Sequence, residues 1–197
     1  MPKVGMEEIR RDQVIAATTR CIVKNGMVNL SVKNIAAEAG VSTGIIYHYF
    51  KNKEDILMHV IKAAFQQSHQ AVMDTVEPLN EPHDKLMKHI ENINDVAKNN
   101  SDFYGLILNY LGQTSSNEQV NVIVQKFFRN LRSYVNNYLE EGVNRKTFTA
   151  GSVKNLPAIV IALGMGLGIM WTVDPEAFDL DEMGETYKDV IRKFVES

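Results

Sequence analysis

The sequence predicts an all-α protein of about nine helices, with a three-helix N-terminal head and a larger helical body. Three observations predict this fold class. Apolar residues recur at intervals of three and four along nearly the whole chain, which is the period of an amphipathic helix. In no segment do apolar and polar residues alternate with β-branched side chains, as they do in a half-buried strand. Serine or asparagine precedes the early apolar runs, and glycine or proline follows them.

The first two helices are predicted from an apolar stripe and two glycine stops. The stripe of the first helix runs through residues 14–22, and Gly26 ends the helix. Ser31 can cap the second helix, which is short and ends at Gly40. Glycine suits both ends because it adopts the left-handed conformation without the steric cost of a Cβ atom.

The third and fourth helices follow at once. Ser42 can cap a third helix of about two turns, which runs to about Phe50. Asn52 can cap a fourth and longer helix, with Asp55 three positions further on in a capping-box-like pair. The proline-bearing segment 78–82 ends this helix and marks the join between head and body.

Five further helices are predicted in the body, separated by polar or glycine-bearing turns, at residues 83–99, 101–113, 117–141, 152–173 and 181–196. The stretch 156–173 has no charged residue, and its length reaches the lower limit for a membrane span. Pro157 near its start, its internal glycines and the acidic residues that follow favour a helix buried in a protein interface instead.

Composition narrows the class of protein. Hydrophobic residues make up 45% and charged residues 23% of the 197 residues, which excludes a largely disordered chain. The net charge is −3, but residues 1–56 carry +2 and residues 57–197 carry −5, so the head favours an anionic partner. The single cysteine, Cys21, and the lack of a signal-peptide core near the N-terminus predict a reducing, cytoplasmic location.

The second and third helices have the layout of a helix-turn-helix. Alanines at positions 36 and 39 allow a close crossing, and Gly40 supplies the turn. In this motif the later helix lies in a DNA major groove with its N-terminal residues at base edges. We expect Tyr49 and Phe50 to turn inward and anchor the helix. The residues expected to meet DNA are Ser42, Thr43, Gly44, Ile45, Tyr47, His48, Lys51 and Lys53.

At these residues the chain resembles the tetracycline-repressor (TetR) family of bacterial transcription regulators. The resemblance rests on "VIAATTRCIVKNG" and "LSVKNIAAEAGVSTGIIYHYFKNKEDIL", and more loosely on "WTVDPEAFD" near the end. It implies a DNA-binding domain at residues 1–52 and a regulatory domain, for ligand binding and dimerisation, at residues 53–197. It also implies that Ser31, Lys33 and Lys53 touch the flanking DNA backbone.

Two residues depart from the pattern of this family. Ile45 stands where many members carry threonine, which removes a polar contact and favours a thymine methyl group. Val28 stands where an aromatic residue is frequent, which affects the packing of the head more than its function.

The last two helices are assigned to a homodimer interface. Gly164 and Gly168 lie four residues apart on one face, where small residues let another helix approach closely. The resemblance implies that this other helix belongs to the partner subunit; the alternative is a core helix of a monomer. The residues assigned to the interface are Ile161, Gly164, Met165, Gly168, Tyr187, Ile191 and Phe194.

Aromatic and methionine residues in the body are candidates for a ligand pocket, although most residues of this kind simply form a core. A wall of such side chains suits an apolar or amphipathic small molecule. The candidates are Phe103, Tyr104, Ile107, Leu108, Tyr110, Leu111, Phe127, Phe128, Leu131, Tyr134, Met165, Met170 and Trp171.

Other chemistries are not predicted. The "GMGLG" at 164–168 follows no strand, which argues against a nucleotide site. The five histidines show no metal-ligand spacing, and no Ser/His/Asp grouping is apparent, so we expect neither a cofactor, a metal nor an enzyme. Cys21 lies on the buried stripe of the first helix and is expected to act as a small core hydrophobe.

The expected function is that of a homodimeric repressor that binds a partly palindromic DNA operator and is released by a small-molecule inducer. In this hypothesis the ligand changes the spacing of the two recognition helices, which must enter successive major grooves roughly 34–36 Å apart. The alternative is a ligand-independent DNA-binding or adapter protein of the same fold.

Overall fold

The computed structural model describes residues 6–149 and 154–196, and these residues form nine α-helices and no strand. The predicted all-α fold is confirmed. Most helix ends fall within one or two residues of the predicted ones; α7 continues to Asn144, and α8 begins at Leu156. The helices are α1 Met6–Asn25, α2 Val32–Ala39, α3 Thr43–Tyr49, α4 Lys53–Val76, α5 Pro82–Asn99, α6 Ser101–Leu111, α7 Glu118–Asn144, α8 Leu156–Val173 and α9 Leu180–Glu196.

The chain divides into two compact units. Unit 1 holds the described residues up to Gln66 together with Gly105–Ile123, and unit 2 holds Gln67–Tyr104 and the described residues from Val124 onward. Helices α4, α6 and α7 contribute residues to both units. These units are defined by packing, and the functional division predicted between residues 52 and 53 stays a prediction.

Unit 1 has a core built from the first three helices and from α6. Ile22, Ile35 and Ile46 are each fully buried, one from each of α1, α2 and α3. The side chain of Asn109 on α6 accepts a hydrogen bond from the backbone N–H of Met27 at 3.3 Å. The second half of α6 therefore belongs structurally with the head helices, which the sequence did not predict.

Cys21 is buried in this core, as predicted. Its side chain is 6% exposed, and burial raises the pKa of the thiol. A neutral thiol is a poor nucleophile, so the position agrees with a packing role.

Unit 2 is organised around contacts of α5 with α8 and α9. A Cβ atom at Gly164 would lie 2.6 Å from Cγ2 of Ile93, and one at Gly168 would overlap the ring of Tyr104. The hydroxyl of Tyr187 on α9 donates to the carbonyl of Val160 on α8. Gly164 and Gly168 thus serve a close contact made within one chain.

The assignment of seven residues to a dimer interface stays a prediction, and the single chain shows how exposed each of them is. Six are buried within the single chain, because their face of α8 and α9 packs inside unit 2, and they are Ile161, Gly164, Met165, Gly168, Tyr187 and Ile191. Phe194 alone of the seven is exposed, at 47%.

The opposite face of α8 is apolar. On α8 it carries Ile159, Leu163, Met170 and Val173, which are 40–72% exposed. The spacing of these positions matches one stripe of a helix. On α9 the exposed apolar residues are Val190 and Phe194.

Helix α8 is the one described helix that is long and apolar enough to cross a membrane by length and composition, and 39% of it is buried. A helix that packs one face into a protein core and exposes an apolar opposite face also meets this criterion of length and composition.

We predict that Gly168→Ala destabilises the protein by about 1–3 kcal/mol, because the added methyl group would displace the buried ring of Tyr104. Chemical denaturation measures this cost.

Gly105→Ala is the matched control in a helix. Its Cβ atom would lie 3.5 Å from Cγ1 of Val23, an ordinary contact. This change should be neutral or stabilise by up to about 1 kcal/mol. Equal costs for the two variants would contradict the close packing of Gly168 against Tyr104.

Candidate nucleic-acid interface and ligand site

Helices α2 and α3 form the predicted helix-turn-helix, and local hydrogen bonds define its geometry. The hydroxyl of Ser31 accepts from the N–H of Asn34 at the start of α2. Gly40 ends α2 with φ of 63°, a left-handed conformation that favours glycine. The hydroxyl of Ser42 then accepts from the N–H of Ile45 and begins α3. Both predicted caps and the predicted turn are present.

The inward side of α3 is held by the residues behind it. Ile46 is fully buried and Phe50 is 2% exposed, so both pack into unit 1. The ring of His59 meets the ring of Phe50 edge-on at 5.4 Å, and the guanidinium of Arg11 lies 5.4 Å from the centre of the same ring. Phe50 turns inward as predicted, whereas Tyr49 is only half-buried.

Arg11 also fixes the tautomer of His59. Its Nη2 atom lies 2.8 Å from Nε2 of His59, and a guanidinium can only donate, so Nε2 accepts. Nδ1 therefore carries the proton and donates to the carbonyl of Asp55 at 2.8 Å. Sequence reasoning missed this arrangement because Arg11 and His59 are 48 residues apart and no local pattern links them.

The outward side of α3 is exposed. Tyr47 is 57% and Ile45 is 37% exposed, and neither packs into the core of unit 1. The predicted DNA-facing residues that the structure leaves exposed are Lys33, Ser42, Thr43, Gly44, Ile45, Tyr47, His48 and Lys51. They come from the start of α2, from α3 and from the residues just after it.

Two predicted contact residues are half-buried. The hydroxyl of Ser31 is engaged as the cap of α2. The ammonium of Lys53 donates to the carbonyl of Leu30 at 3.1 Å, which ties the start of α4 to the segment before α2. Lys33 and Lys51 are therefore better placed than Lys53 to meet a phosphate.

The start of α4 shows the predicted capping pair. The N–H of Asp55 donates to Oδ1 of Asn52 at 2.8 Å, and the N–H of Lys51 donates to Oδ2 of Asp55 at 2.9 Å. These amides are paired within the protein, so the α4 amides are less available to a phosphate than the sequence suggested.

The predicted pocket residues are divided between the units. Ile107, Leu108, Tyr110 and Leu111 lie in unit 1, and the other nine lie in unit 2. Leu108 and Met170 are exposed at 38% and 55%. The hydroxyl groups of Tyr104 and Tyr110 donate to backbone carbonyls within their own units. The assignment of these residues to a pocket stays a prediction.

Unit 2 contains a groove of about 440 Å³ between α4, α5 and the start of α6. We call it the α4–α5 groove. Phe103 lines it, as do the apolar residues Val72 and Val96. Most of its other lining residues are polar, and they include Gln67, Ser68, Asn92, Asp95 and Asn99.

Beside Val72 lies a row of four rings, which we call the ring row: His69, Tyr134, Tyr138 and His89. The ring of His69 stacks on that of Tyr134 at 4.9 Å, and Tyr134 packs against the cluster of Val72, Val76 and Tyr138. The ring of His89 meets that of Tyr138 edge-on at 5.8 Å.

Burial keeps His89 and Tyr138 neutral at physiological pH. Desolvation lowers the pKa of His89 to about 4. The pKa of Tyr138 is raised to about 12, mainly by desolvation and also by Tyr134 and Glu77. Both ring nitrogens of His89, Nδ1 of His69 and the hydroxyl of Tyr138 are buried with no hydrogen-bond partner among the described residues. The sequence shows these histidines only as widely spaced residues without metal-ligand spacing, so no local pattern predicts the row.

The fold and the exposed α3 edge define an all-α protein with an N-terminal helix-turn-helix. A family model described as "Bacterial regulatory proteins, tetR family" matches residues 14–60. A second, described as "BetI-type transcriptional repressor, C-terminal", matches residues 82–196, more than half of the chain. The chain belongs to the TetR family, which is a family of transcriptional regulators and not of enzymes.

Curated relatives match over a shorter segment. The "HTH-type transcriptional regulator BetI" of Escherichia coli O139:H28 is 43% identical over 79 residues, and that of Klebsiella pneumoniae is 44% identical over 79 residues. Each match spans 40% of this chain and 40% of the relative.

Solved structures match over nearly the whole chain. A putative transcriptional regulator from Saccharomonospora viridis in complex with choline has a TM-score of 0.86 at 18% identity, covering 95% of this chain and 98% of that one. The regulator FadR from Bacillus subtilis in complex with stearoyl-CoA has a TM-score of 0.78 at 22% identity, covering 93% and 98%. These similarities show that the fold is shared.

We predict that His89 makes the protein less stable in acid. Its pKa in the folded state, about 4, lies below the ordinary value of 6.5, so the unfolded chain binds the proton first as the pH falls. Stability from this residue is complete above pH 6.5 and is lost toward pH 4, by about 2 kcal/mol at pH 5.

Urea denaturation of parent and His89→Phe at pH 7.5 and pH 5 measures this loss. The variant should lose about 2 kcal/mol less than the parent between the two pH values. Equal losses would contradict the buried, neutral state of His89.

Proposed function

We propose that the protein is a DNA-binding transcriptional repressor, located in the cytoplasm, whose recognition helix is α3. The observation that carries the proposal is the two-sided character of this helix. Ile46 and Phe50 fix its position from behind, and Tyr47, Thr43 and Gly44 stand exposed with no packing role. In a helix-turn-helix this is the edge that enters the major groove.

Each exposed residue suits a part of the DNA. Gly44 has no side chain, so a base edge or the sugar-phosphate backbone can come close to α3. Tyr47 and His48 can donate to phosphates, as can Lys33 and Lys51. Ile45 offers an apolar surface to a thymine methyl group.

We propose that two copies bind together to a partly palindromic operator. The exposed apolar face of α8, together with Val190 and Phe194 on α9, supports the formation of a homodimer, because proteins rarely leave such a patch uncovered. Two recognition helices must then reach successive major grooves, roughly 34–36 Å apart.

We further propose that residues 1–52 bind DNA, that residues 53–197 mediate dimerisation and ligand binding, and that a small molecule releases the operator. The structural neighbours bound to choline and to stearoyl-CoA support a ligand-responsive body. The α4–α5 groove is lined by both apolar and polar residues and carries the carboxylate of Asp95, so it suits a small amphipathic ligand better than a long acyl chain. Choline is therefore the first ligand to test.

We predict that Tyr47→Phe weakens binding to the promoter DNA beside the protein's own gene by about threefold to tenfold, the net worth of one hydrogen bond. Lys33→Ala should weaken it as well and lower the slope of log affinity against log salt by about 0.9. Gel-shift titrations at several salt concentrations measure both effects.

Lys126→Ala is the matched control, since Lys126 is exposed on α7 and lies outside the head. It should leave affinity and salt slope unchanged. If Lys33→Ala and Lys126→Ala behave alike, the assignment of the DNA-binding face is wrong.

We predict that Leu163→Glu and Met170→Glu give monomers, because each places a charge on the exposed apolar face of α8. Sedimentation equilibrium should show a dimeric parent and monomeric variants with unchanged helicity. Val122→Glu changes an exposed valine on α7 and should stay dimeric. Dimers from both α8 variants would exclude this face as the interface.

A further inference from the structure

Arg11 on α1 is held by a neutral histidine and not by a carboxylate. Its Nη2 atom donates to Nε2 of His59 on α4 at 2.8 Å, and its guanidinium lies 5.4 Å from the centre of the Phe50 ring. No carboxylate forms an ion pair with Arg11 in the part of the chain that the structure describes. A guanidinium can only donate, so this contact exists only while Nε2 of His59 keeps its lone pair.

The contact lies where the recognition helix ends. Phe50 is the C-cap residue of α3, and both Arg11 and the ring of His59 meet its buried ring. The next residue, Lys51, donates its backbone N–H to Oδ2 of Asp55 at 2.9 Å. Arg11, His59 and Asp55 together therefore fix the end of α3 and the cation that follows it.

The charged groups that face His59 act on an added proton in opposite directions. From α1 the guanidinium of Arg11 faces Nε2, and from α4 itself Oδ1 of Asp55 lies 3.3 Å from Nδ1. From α3, His59 meets the uncharged ring of Phe50. A proton on Nε2 removes the acceptor and sets two cations in contact, whereas the carboxylate of Asp55 stabilises the charged ring. A protonated His59 therefore stays with Asp55 and gives up Arg11.

Loss of the contact weakens the hold on α3. The side chain of His59 is 33% exposed, so protons from the solvent reach it. Histidine is the side chain that ordinarily changes charge between pH 5 and pH 8. When Arg11 leaves, Phe50 loses the cation beside its ring, and α1 loses its hydrogen bond to α4. Contacts to DNA tolerate little displacement of the helix that makes them.

We propose that the Arg11–His59 contact positions the end of the recognition helix and that protonation of His59 breaks it, so that affinity for DNA falls in acid. Arg11 and His59 are positioning residues, since they act on DNA through Phe50 and Lys51. The inference rests on the proposed function, in which α3 binds DNA, and it adds a pH-dependent control.

The general electrostatic effect of acid on DNA binding has the opposite sign. His48 is exposed on α3, and its protonation adds a cation beside the DNA and strengthens binding. His48→Gln removes this opposing effect at the cost of some affinity at every pH. This variant is therefore the background for the measurement.

Fluorescence anisotropy titrations with the promoter DNA beside the protein's own gene, at constant ionic strength from pH 8 to pH 5.5, test the proposal. In the background protein, affinity should fall by about tenfold or more, the worth of a hydrogen bond to a charged group. Adding His59→Gln should abolish the fall, because an amide oxygen accepts from Arg11 at every pH.

Acid unfolding is controlled in the same comparison. Both proteins retain His89, so a fall caused by loss of the folded state would appear in both. Equal falls with and without His59→Gln, or no fall in the background protein, overturn the proposal.

Arg11→Met tests the other partner of the contact. It keeps an unbranched side chain beside Phe50 but removes the cation, so protonation of His59 has no contact to break. Binding should be weaker at pH 8 than in the background protein and should not fall further in acid. A fall of the background size in this variant would show that His59 acts without Arg11, which refutes the mechanism.

Arg20→Met is the matched control on the same helix. The guanidinium of Arg20 pairs with the carboxylate of Glu38 at 2.6 Å and not with a histidine. This variant should keep the full loss of affinity in acid. If Arg20→Met abolishes the loss as Arg11→Met does, the effect belongs to the charge of α1 and not to the contact with His59.

Nuclear magnetic resonance of the DNA-free protein separates this inference from the DNA-binding proposal. Neutral His59 should carry its proton on Nδ1, and the guanidinium signals of Arg11 should shift with the same midpoint as the ring of His59. Arg11 signals that do not follow His59 overturn the inference, whether or not the protein binds DNA. Failure to bind DNA at pH 8 refutes the proposed function, and binding at pH 8 without a fall in acid refutes this inference alone.

Discussion

The exposed edge of α3 is held in place by the packing of the inner side of the helix. A helix of seven residues is too short to be stable alone, because the first turn costs more conformational entropy than one hydrogen bond returns. Ser42 caps it, and Ile46 and Phe50 bury its inner side against unit 1. Because packing supplies the stability from one side, the other side is free to carry residues chosen for contact.

Phe50 in turn depends on charged neighbours. The guanidinium of Arg11 lies over its ring and also bonds to His59, whose other nitrogen is engaged by the backbone of α4. The rim of this small core is therefore polar and held in one arrangement. A recognition helix gains from such rigidity, since contacts to base edges tolerate little displacement.

The sequence predicted what depends on near neighbours along the chain and missed what depends on distant ones. The caps at Ser31 and Ser42, the turn at Gly40 and the Asn52–Asp55 pair are local hydrogen-bonding features, and all were predicted. The glycines of α8 showed that a helix comes close but not which one, because Ile93 is 71 positions from Gly164. The bonds of Arg11 to His59 and of Lys53 to Leu30 are equally invisible to a local pattern.

The α3 edge and the ring row each depart from the usual placement of side chains, in which large rings are buried and buried polar atoms are paired. At α3, Tyr47 leaves a large ring in water, and in the ring row His89 leaves two nitrogens in a core without partners. An exposed large ring and a buried unpaired nitrogen each lower the stability of the free protein relative to a paired or well-packed residue. Such local conflicts mark binding sites more sharply than composition, since a well-packed core residue has no unmet requirement for a ligand to satisfy.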